Sequence, residues 1–180
     1  MEAVKCIKER RSTRKFKAES VAKDVIEEIV SAAAYAPSWK NTQIARYYVL
    51  DGQLKDRIAS EGVMGFEFNK KTIMRAPQLV IVTYVEKRSG FERDGSFSTS
   101  KGDRWESFDA GIATQTFCLA AHDKGVATCI LGIFDDDKVA EIAEIPEGQK
   151  VAALVAFGYA EGDLPEAPKR KEVSDLLVIK

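Results

Sequence analysis

With 180 residues, 45% of them hydrophobic and 31% charged, the chain can bury most of its apolar surface in one core and is too apolar to stay disordered. Its 27 Lys and Arg balance 28 Asp and Glu for a net charge of -1, which excludes a predominantly electrostatic nucleic-acid surface as the main function. A single domain over 1–180 is expected. No apolar run approaches the roughly 20 residues of a spanning helix. The N-terminus opens into an amphipathic pattern with Lys5 and Lys8 where a signal peptide would need an apolar core. Cys6, Cys118 and Cys129 are odd in number, far apart and set among apolar neighbours, as buried free thiols in a reducing compartment would be. The expected location is the cytoplasm.

The first helix is predicted over Glu2 to Arg10, with Val4 and Ile7 facing inward. It runs into Arg10-Arg11-Ser12-Thr13-Arg14-Lys15-Phe16, where three guanidiniums and two hydroxyls fall within five positions. Such groups suit a small anion such as phosphate, because charge-assisted hydrogen bonds contribute roughly 1.5–3 kcal/mol each when shielded from water. Arg10 and Arg11 would sit equally well against the negative end of the first helix, and the residues alone leave both roles open. Ser20 is the expected N-cap of a second helix, in which Val25, Ile26, Ile29, Val30 and Ala33 recur at helical spacing until Pro37 forbids continuation. The turn Pro37-Ser38-Trp39-Lys40-Asn41-Thr42-Gln43 therefore hangs from a helix C-terminus and strings short polar groups together.

A strand over Ile44 to Leu50, a short helix from Leu54 to Ala59 and another helix from Phe66 to Met74 follow. Leu79 to Val85 (LVIVTYV) is almost continuously apolar, so it needs cover on both faces and a central place in the sheet. From Glu86 to Arg104 the chain is polar and rich in Gly and Ser, with Phe91 and Phe97 its only large apolar groups, which predicts a mobile loop and candidate lid. Trp105 to Lys124 is the longest helix, stopped by Gly125. Ala110, Gly111, Ala113 and Ala120 leave it almost no polar side, so it must lie in the core or against another subunit. His122, the single histidine, reads as a surface or capping residue, and no metal constellation surrounds it. A strand-like run from Val126 to Phe134, a helix opening at Asp135 to Asp137 and reaching about Ile145, and a buried strand from Lys150 to Tyr159 complete the core. The tail, 163–180, carries Pro165, Pro168 and Lys169-Arg170-Lys171 and ends on Leu176-Leu177-Val178-Ile179. Extended, it reaches about 60 Å at roughly 3.3 Å per residue, enough to add a strand to a neighbour's sheet, with docking on its own core as the alternative.

In register, RRSTRKF, APSWKNTQ, DAGIATQTFCLAAHDKG, GVATCILGIF and the basic PKRK tail resemble the nitroreductase family of flavin enzymes over essentially the whole chain. The resemblance implies an α+β sandwich, with a largely antiparallel central sheet flanked by helices and the C-terminal tail exchanged in a homodimer. It also implies one FMN at each of two sites shared between subunits. Carried over by position, Arg10, Arg11, Ser12 and Arg14 would contact the phosphate and flavin ring, with Lys169, Arg170 or Lys171 closing on the same phosphate. Pro37, Ser38, Asn41 and Gln43 would come from the partner, while Asn69 and the run Cys129, Ile130, Leu131, Gly132 would follow the ring. Trp39, Phe91 and Phe97 would border the substrate pocket.

The implied activity passes hydride from NADH or NADPH through flavin N5 to a nitroaromatic, quinone or related acceptor in a ping-pong cycle, with no catalytic side chain and no metal. A relative that reductively removes a substituent, or breaks down its own flavin, is the alternative enzyme; a flavin-binding sensor with little turnover is the alternative outside catalysis. The residue chemistry agrees with a flavin, since a near-dianionic phosphate calls for several cations and a reduced ring gains negative charge that an arginine stabilises. Two positions depart from the family pattern: Trp39 stands where small residues are common, and Leu131 where some members carry Glu. The segment between the central strand and the long helix is also too short for the extra helices of larger members.

Overall fold

The apolar run at 79–85 organises the architecture. The computed structural model describes residues 2–180. Its elements are α1 (Ala3–Glu9), α2 (Lys23–Ala33), β1 (Ala45–Leu50), α3 (Gly52–Arg57), α4 (Glu67–Arg75), β2 (Gln78–Val85), α5 (Arg104–Asp123), β3 (Ala127–Leu131), α6 (Asp136–Ile142), β4 (Gln149–Gly158) and α7 (Val173–Leu176). A 3-10 turn covers Trp39–Asn41 and a π turn Ile58–Gly62. The strands form one sheet in the order β1-β2-β4-β3, every neighbouring pair antiparallel. The expected α+β sandwich is the fold observed.

Alternation along β2 divides the core in two. Leu79 and Ile81 face the layer containing α6 and the π turn, while Val80 and Val82 face α2 and α5. On β4, Val82 pairs with Ala153 but Thr83 pairs with Val151, so Ala152 is an extra residue. This bulge shifts the phase of the strand and lets Val151 and Leu154 pack on the same side. The 86–104 segment is irregular, as expected, yet tied down: Phe91 and Phe97 bridge across it with ring centroids 4.9 Å apart, and Trp105 Nε1 donates to Thr99 Oγ1 at 3.0 Å. Gly90, at φ +86, lets two arms of this loop meet, because a Cβ there would lie 2.3 Å from the Gly102 carbonyl oxygen.

Several expectations are corrected. α1 buries Cys6, whose thiol donates to the Leu119 carbonyl at 3.4 Å, while Val4 and Ile7 are 52% and 58% exposed. So short a helix touches α5 along one narrow line, and the remaining apolar stripe faces outward. Ser20 is exposed and does not cap α2, which starts at Lys23 after Ala22. The start is set from a distance: the buried Gln78 side chain accepts from Val21 N at 2.8 Å and donates to Val21 O at 3.4 Å. α6 stops at Ile142, short of Ile145, because Glu144 adopts φ +51. α5 buries Asp109, Ala113, Phe117 and Ala121 on one face but leaves Phe108 and Gly111 exposed on the other, so the near-complete burial read from its composition is half realised within one chain. Beyond Tyr159 and Ala160 the tail is exposed throughout and contains one short turn of helix, α7, and no strand. Among the described residues no helix is long and apolar enough to cross a membrane.

Candidate functional site

The basic segment after α1 is laid along the outer edge of β3. Ser12 forms a parallel bridge with Thr128, and Thr13 N donates to Thr128 O at 2.9 Å. Farther on, Phe16 bridges Ala160 and Lys17 N donates to Tyr159 O at 2.9 Å. An extended segment alternates its side chains, so Ser12 and Arg14 share one side while Arg11 and Thr13 share the other.

The arginines divide their work. Arg11 donates from Nη1 to the carbonyls of Lys8 and Arg10, and from Nε to Pro165 O at 3.2 Å, so it caps the last turn of α1 and holds the root of the tail. The helix-end role left open by the sequence is the one Arg11 fills. Arg10 is half-buried, and its Nε has no partner. Arg14 is exposed, donates to Ser12 O at 3.3 Å and lies 5.9 Å from the centroid of the Phe68 ring. Asn69 is buried on α4, and its amide donates to Ile133 O at 2.9 Å, which ties α4 to the chain just past β3. Cys129 and Leu131 point into the core, while Ile130 is 45% exposed and Gly132 is exposed on the outer side. Burial pushes the Cys129 thiol up from its ordinary value, and the charges of Arg14 and Arg10 pull against it.

One cleft of about 250 Å³ opens here, lined by Arg10, Arg11, Thr13, His122, the backbone of 125–128, Ala160 and Leu164. His122 is not the surface residue expected: it is half-buried, with an Nε2 that meets no partner. Lys169, Arg170 and Lys171 are exposed, and Arg170 donates to Pro168 O at 3.0 Å. The tail touches the basic segment through Pro165 and Leu164 rather than through these three cations.

The second motif sits at the opposite edge, where β1 begins. Asp109 on α5 organises it: its Oδ2 accepts from Trp39 N at 2.8 Å and from Ser89 Oγ at 2.6 Å, and Ser89 in turn bonds Thr42 at 2.8 Å. Ser38 Oγ accepts from Gln43 N at 2.9 Å and closes the turn. Lys40, Asn41 and Gln43 all adopt positive φ, at 44°, 56° and 48°. Backbone strain of this kind costs roughly 1–3 kcal/mol per residue and persists where surrounding contacts over-determine it. Pro37, Asn41 and Gln43 are exposed. Trp39 packs tilted against Trp105 with ring centroids 4.9 Å apart, Trp105 meets Phe108 edge-on at 5.4 Å, and Trp39 Nε1 is buried without a partner. Lys40 pairs with Glu92 at 3.0 Å, so Phe91 and the 86–104 loop are fastened beside this turn.

Asp109 and Ser89 were not singled out from sequence, while His122 was read as a surface or capping residue and Thr13 as one hydroxyl of the basic cluster. Asp109 carried a readable signal, since a carboxylate amid the small residues of an apolar helix needs a partner. Nothing in the sequence tells which face of α5 His122 occupies. Among the described residues, no group of three or more His, Cys, Asp or Glu side chains is placed to hold a metal ion.

The sequence model described as the nitroreductase family matches residues 7–65 and 62–159. The chain is 26% identical over 198 residues to a nitrobenzene nitroreductase of Ectopseudomonas oleovorans, covering 89% of this chain and 87% of that one. Among solved structures it is similar to a nitroreductase family protein from Clostridium novyi NT, with TM-score 0.77, 27% identity and coverage of 89% and 86%. It is also similar to an oxidoreductase containing FMN, with TM-score 0.72, 27% identity and coverage of 88% and 77%.

Proposed function

The chain belongs to the nitroreductase family, and from that premise we propose that it is a homodimeric FMN-dependent oxidoreductase. It draws hydride from NADH or NADPH and passes it, in a ping-pong cycle, to a nitroaromatic, quinone or related acceptor. The observation that carries this reading is the edge of β3, where the segment bearing Arg10, Ser12 and Arg14 is bridged to the strand, Arg14 lies over the Phe68 ring, and the adjacent Asn69 is tied to Ile133 O just past β3. That donor set fits a flavin mononucleotide: guanidiniums for a phosphate, a hydroxyl and an amide for polar rims, and an exposed backbone run at Ile130 to Gly132 for a flat ring.

FMN supplies the hydride chemistry when bound. The chain's contribution is to hold, orient and shield. Arg10, with Lys169, Arg170 or Lys171 from the tail, neutralises the phosphate. Arg14 lies farther along β3, where it favours negative charge on a reduced ring. Asn69, braced by its bond to Ile133 O, would help hold the flavin ring.

Pro37, Ser38, Asn41 and Gln43 of a second copy complete the site, with Trp39 and the Phe91–Phe97 loop bordering the acceptor's approach. What supports a second copy is the surface one chain leaves uncovered: Val4, Ile7, Phe108, Ile130 and Ile133 are each about half-exposed, and Leu176 to Ile179 lie bare on the tail. A mostly apolar pocket of about 410 Å³ beside the open edge of β1, between α2 and α5, offers that tail a berth on the partner.

Stopped-flow absorbance of purified protein tests the proposal. Yellow protein that bleaches on adding NADH or NADPH and recovers its colour with a nitroaromatic or quinone is expected. Protein that stays oxidised with both donors makes this a flavin carrier or sensor; colourless protein that takes up no added FMN overturns the assignment.

A further inference from the structure

Between the β1 turn and the first part of the 86–104 segment lies a groove of about 370 Å³, to which Trp39 and Phe91 contribute rings and Lys87, Arg88 and Arg93 contribute cations. That size falls within the roughly 300–1,000 Å³ of ordinary ligand pockets. Its charge is local. The chain as a whole carries a net charge of -1, yet Lys40, Lys87, Arg88 and Arg93 line the groove with Glu92 as the one carboxylate among them. Lys40 is committed, since its Nζ lies 3.0 Å from the Glu92 carboxylate, which also accepts from Ser98 Oγ at 2.5 Å. The other three cations are exposed, and among the described residues no ion pair or hydrogen bond engages their side chains.

The buried carboxylates nearby are taken up by other donors. Glu106, at the start of α5, accepts from Arg88 N at 3.3 Å, and Asp109 accepts from Trp39 N and from Ser89 Oγ. These bonds keep both acids off the guanidiniums and pin the backbone that carries Trp39 and Arg88. Three unpaired cations on a fixed backbone, beside two half-buried rings, match a ligand that joins a flat aromatic base to a dianionic phosphate. Guanidiniums grip phosphate by charge-assisted, often bidentate bonds, and a base packs on an aromatic face.

We propose that this groove seats the adenosine 2′-phosphate end of NADPH, so that the enzyme takes NADPH in preference to NADH. The inference rests on the oxidoreductase reading above and selects between its two donors. They differ at one place: NADH has a hydroxyl where NADPH has a phosphate, and an arginine at that point favours the phosphate. Trp39 also belongs to the turn that completes the flavin site in that reading, so a donor held here by its phosphate end extends alongside the turn with its nicotinamide end towards the flavin. Because the three cations are exposed, their attraction is screened by salt, over a Debye length of about 10 Å at 0.1 M.

Steady-state kinetics of the purified flavoprotein with each donor, at low ionic strength and a fixed quinone concentration, supply the first test. The value of kcat/KM should be roughly tenfold or more higher for NADPH than for NADH, and the ratio should shrink as salt is raised. Arg88→Gln, Arg93→Gln and Lys87→Gln should lower that ratio through KM for NADPH, the most affected variant by roughly tenfold. Calorimetric titration of the oxidised protein gives a readout independent of turnover. Adenosine 2′,5′-bisphosphate should bind roughly tenfold more tightly than adenosine 5′-monophosphate, and the difference should shrink in the same variants. Equal kcat/KM for the two donors, a ratio that none of the three substitutions moves, or equal binding of the two adenosine phosphates would each overturn the proposal while leaving the oxidoreductase reading intact. Protein that neither donor reduces would bring down that reading, and this inference with it. All three side chains are exposed, so the variants should fold, and the wild-type comparisons need no variant at all.

Discussion

The two edges of the sheet are finished in different ways. At β3 the chain covers its own edge, laying the 10–17 segment alongside it and leaving a cleft lined by Arg10, Arg11, Thr13 and His122. At β1 no strand or bridge closes the edge among the described residues, yet the neighbouring turn is fully preorganised by Asp109, Ser89 and Ser38. One region is a cleft bordered by two arginines and a histidine; the other is a rigid turn whose Pro37, Asn41 and Gln43 are exposed. In sequence the two motifs are separated by little more than one helix. In space Asp109 and His122, which mark the two regions on α5, stand about 20 Å apart at 1.5 Å per residue. The proposed sharing of one site between two copies would bridge that separation.

The largest effect tests whether the β1 turn depends on its buried anchor. Asp109→Ala orphans Trp39 N and leaves the Ser89 hydroxyl with Thr42 as its one partner, which should cost about 2–4 kcal/mol. Thermal denaturation should show it as a fall of roughly 5–15 °C for a chain of this size. A melting point within a degree or two of wild type would mean the turn is held by something other than that carboxylate.

At β3, Arg14→Ala should leave the fold intact by circular dichroism, because the side chain is exposed, and weaken FMN binding roughly 10- to 100-fold, the equivalent of one charge-assisted contact. Combined with a β1-edge variant, it becomes a test of sharing. If each flavin takes its phosphate side from one copy and its ring edge from the other, mixed dimers of Arg14→Ala and Asp109→Ala contain one intact site and regain flavin that neither variant holds alone. Sites contained within single chains would gain nothing from mixing.

The smallest effect belongs to Lys40→Gln. The Ser98 hydroxyl, and after it Lys40, hold the Glu92 carboxyl below its ordinary value, a contribution present above the unfolded carboxylate range and lost as pH falls through the folded value. Both partners are exposed, so the pair is screened and the melting temperature should not change measurably. Any consequence should be confined to acceptor turnover through the 86–104 loop. A clear drop in melting temperature would assign the turn's rigidity to the surface pair instead of Asp109.

Much of the fold was legible along the chain. LVIVTYV and KVAALVAFGY announce strands buried on both faces because neither spares a polar side, and they are the two central strands of the sheet. Gly125 stops α5 where expected, at φ +74. The failures have a common cause. Ser20 has cap chemistry, but a glutamine fifty-eight residues away fixes the start of α2. Val4 and Ile7 have the right period, but a period identifies a stripe without saying which neighbour covers it. His122 looked incidental because its setting is assembled from α1, β3 and the root of the tail.

By itself, the sequence determined what is local: which segments are helix or strand, which residues carry charge, and which short stretches can grip an anion, since propensity, periodicity and donor chemistry act over a few residues. The tertiary structure decided which guanidinium caps a helix and which is left without a partner, that the two polar motifs lie at opposite ends of α5, and that a histidine faces two arginines. Those outcomes depend on contacts between segments up to about 150 residues apart, and no local pattern encodes a long-range distance.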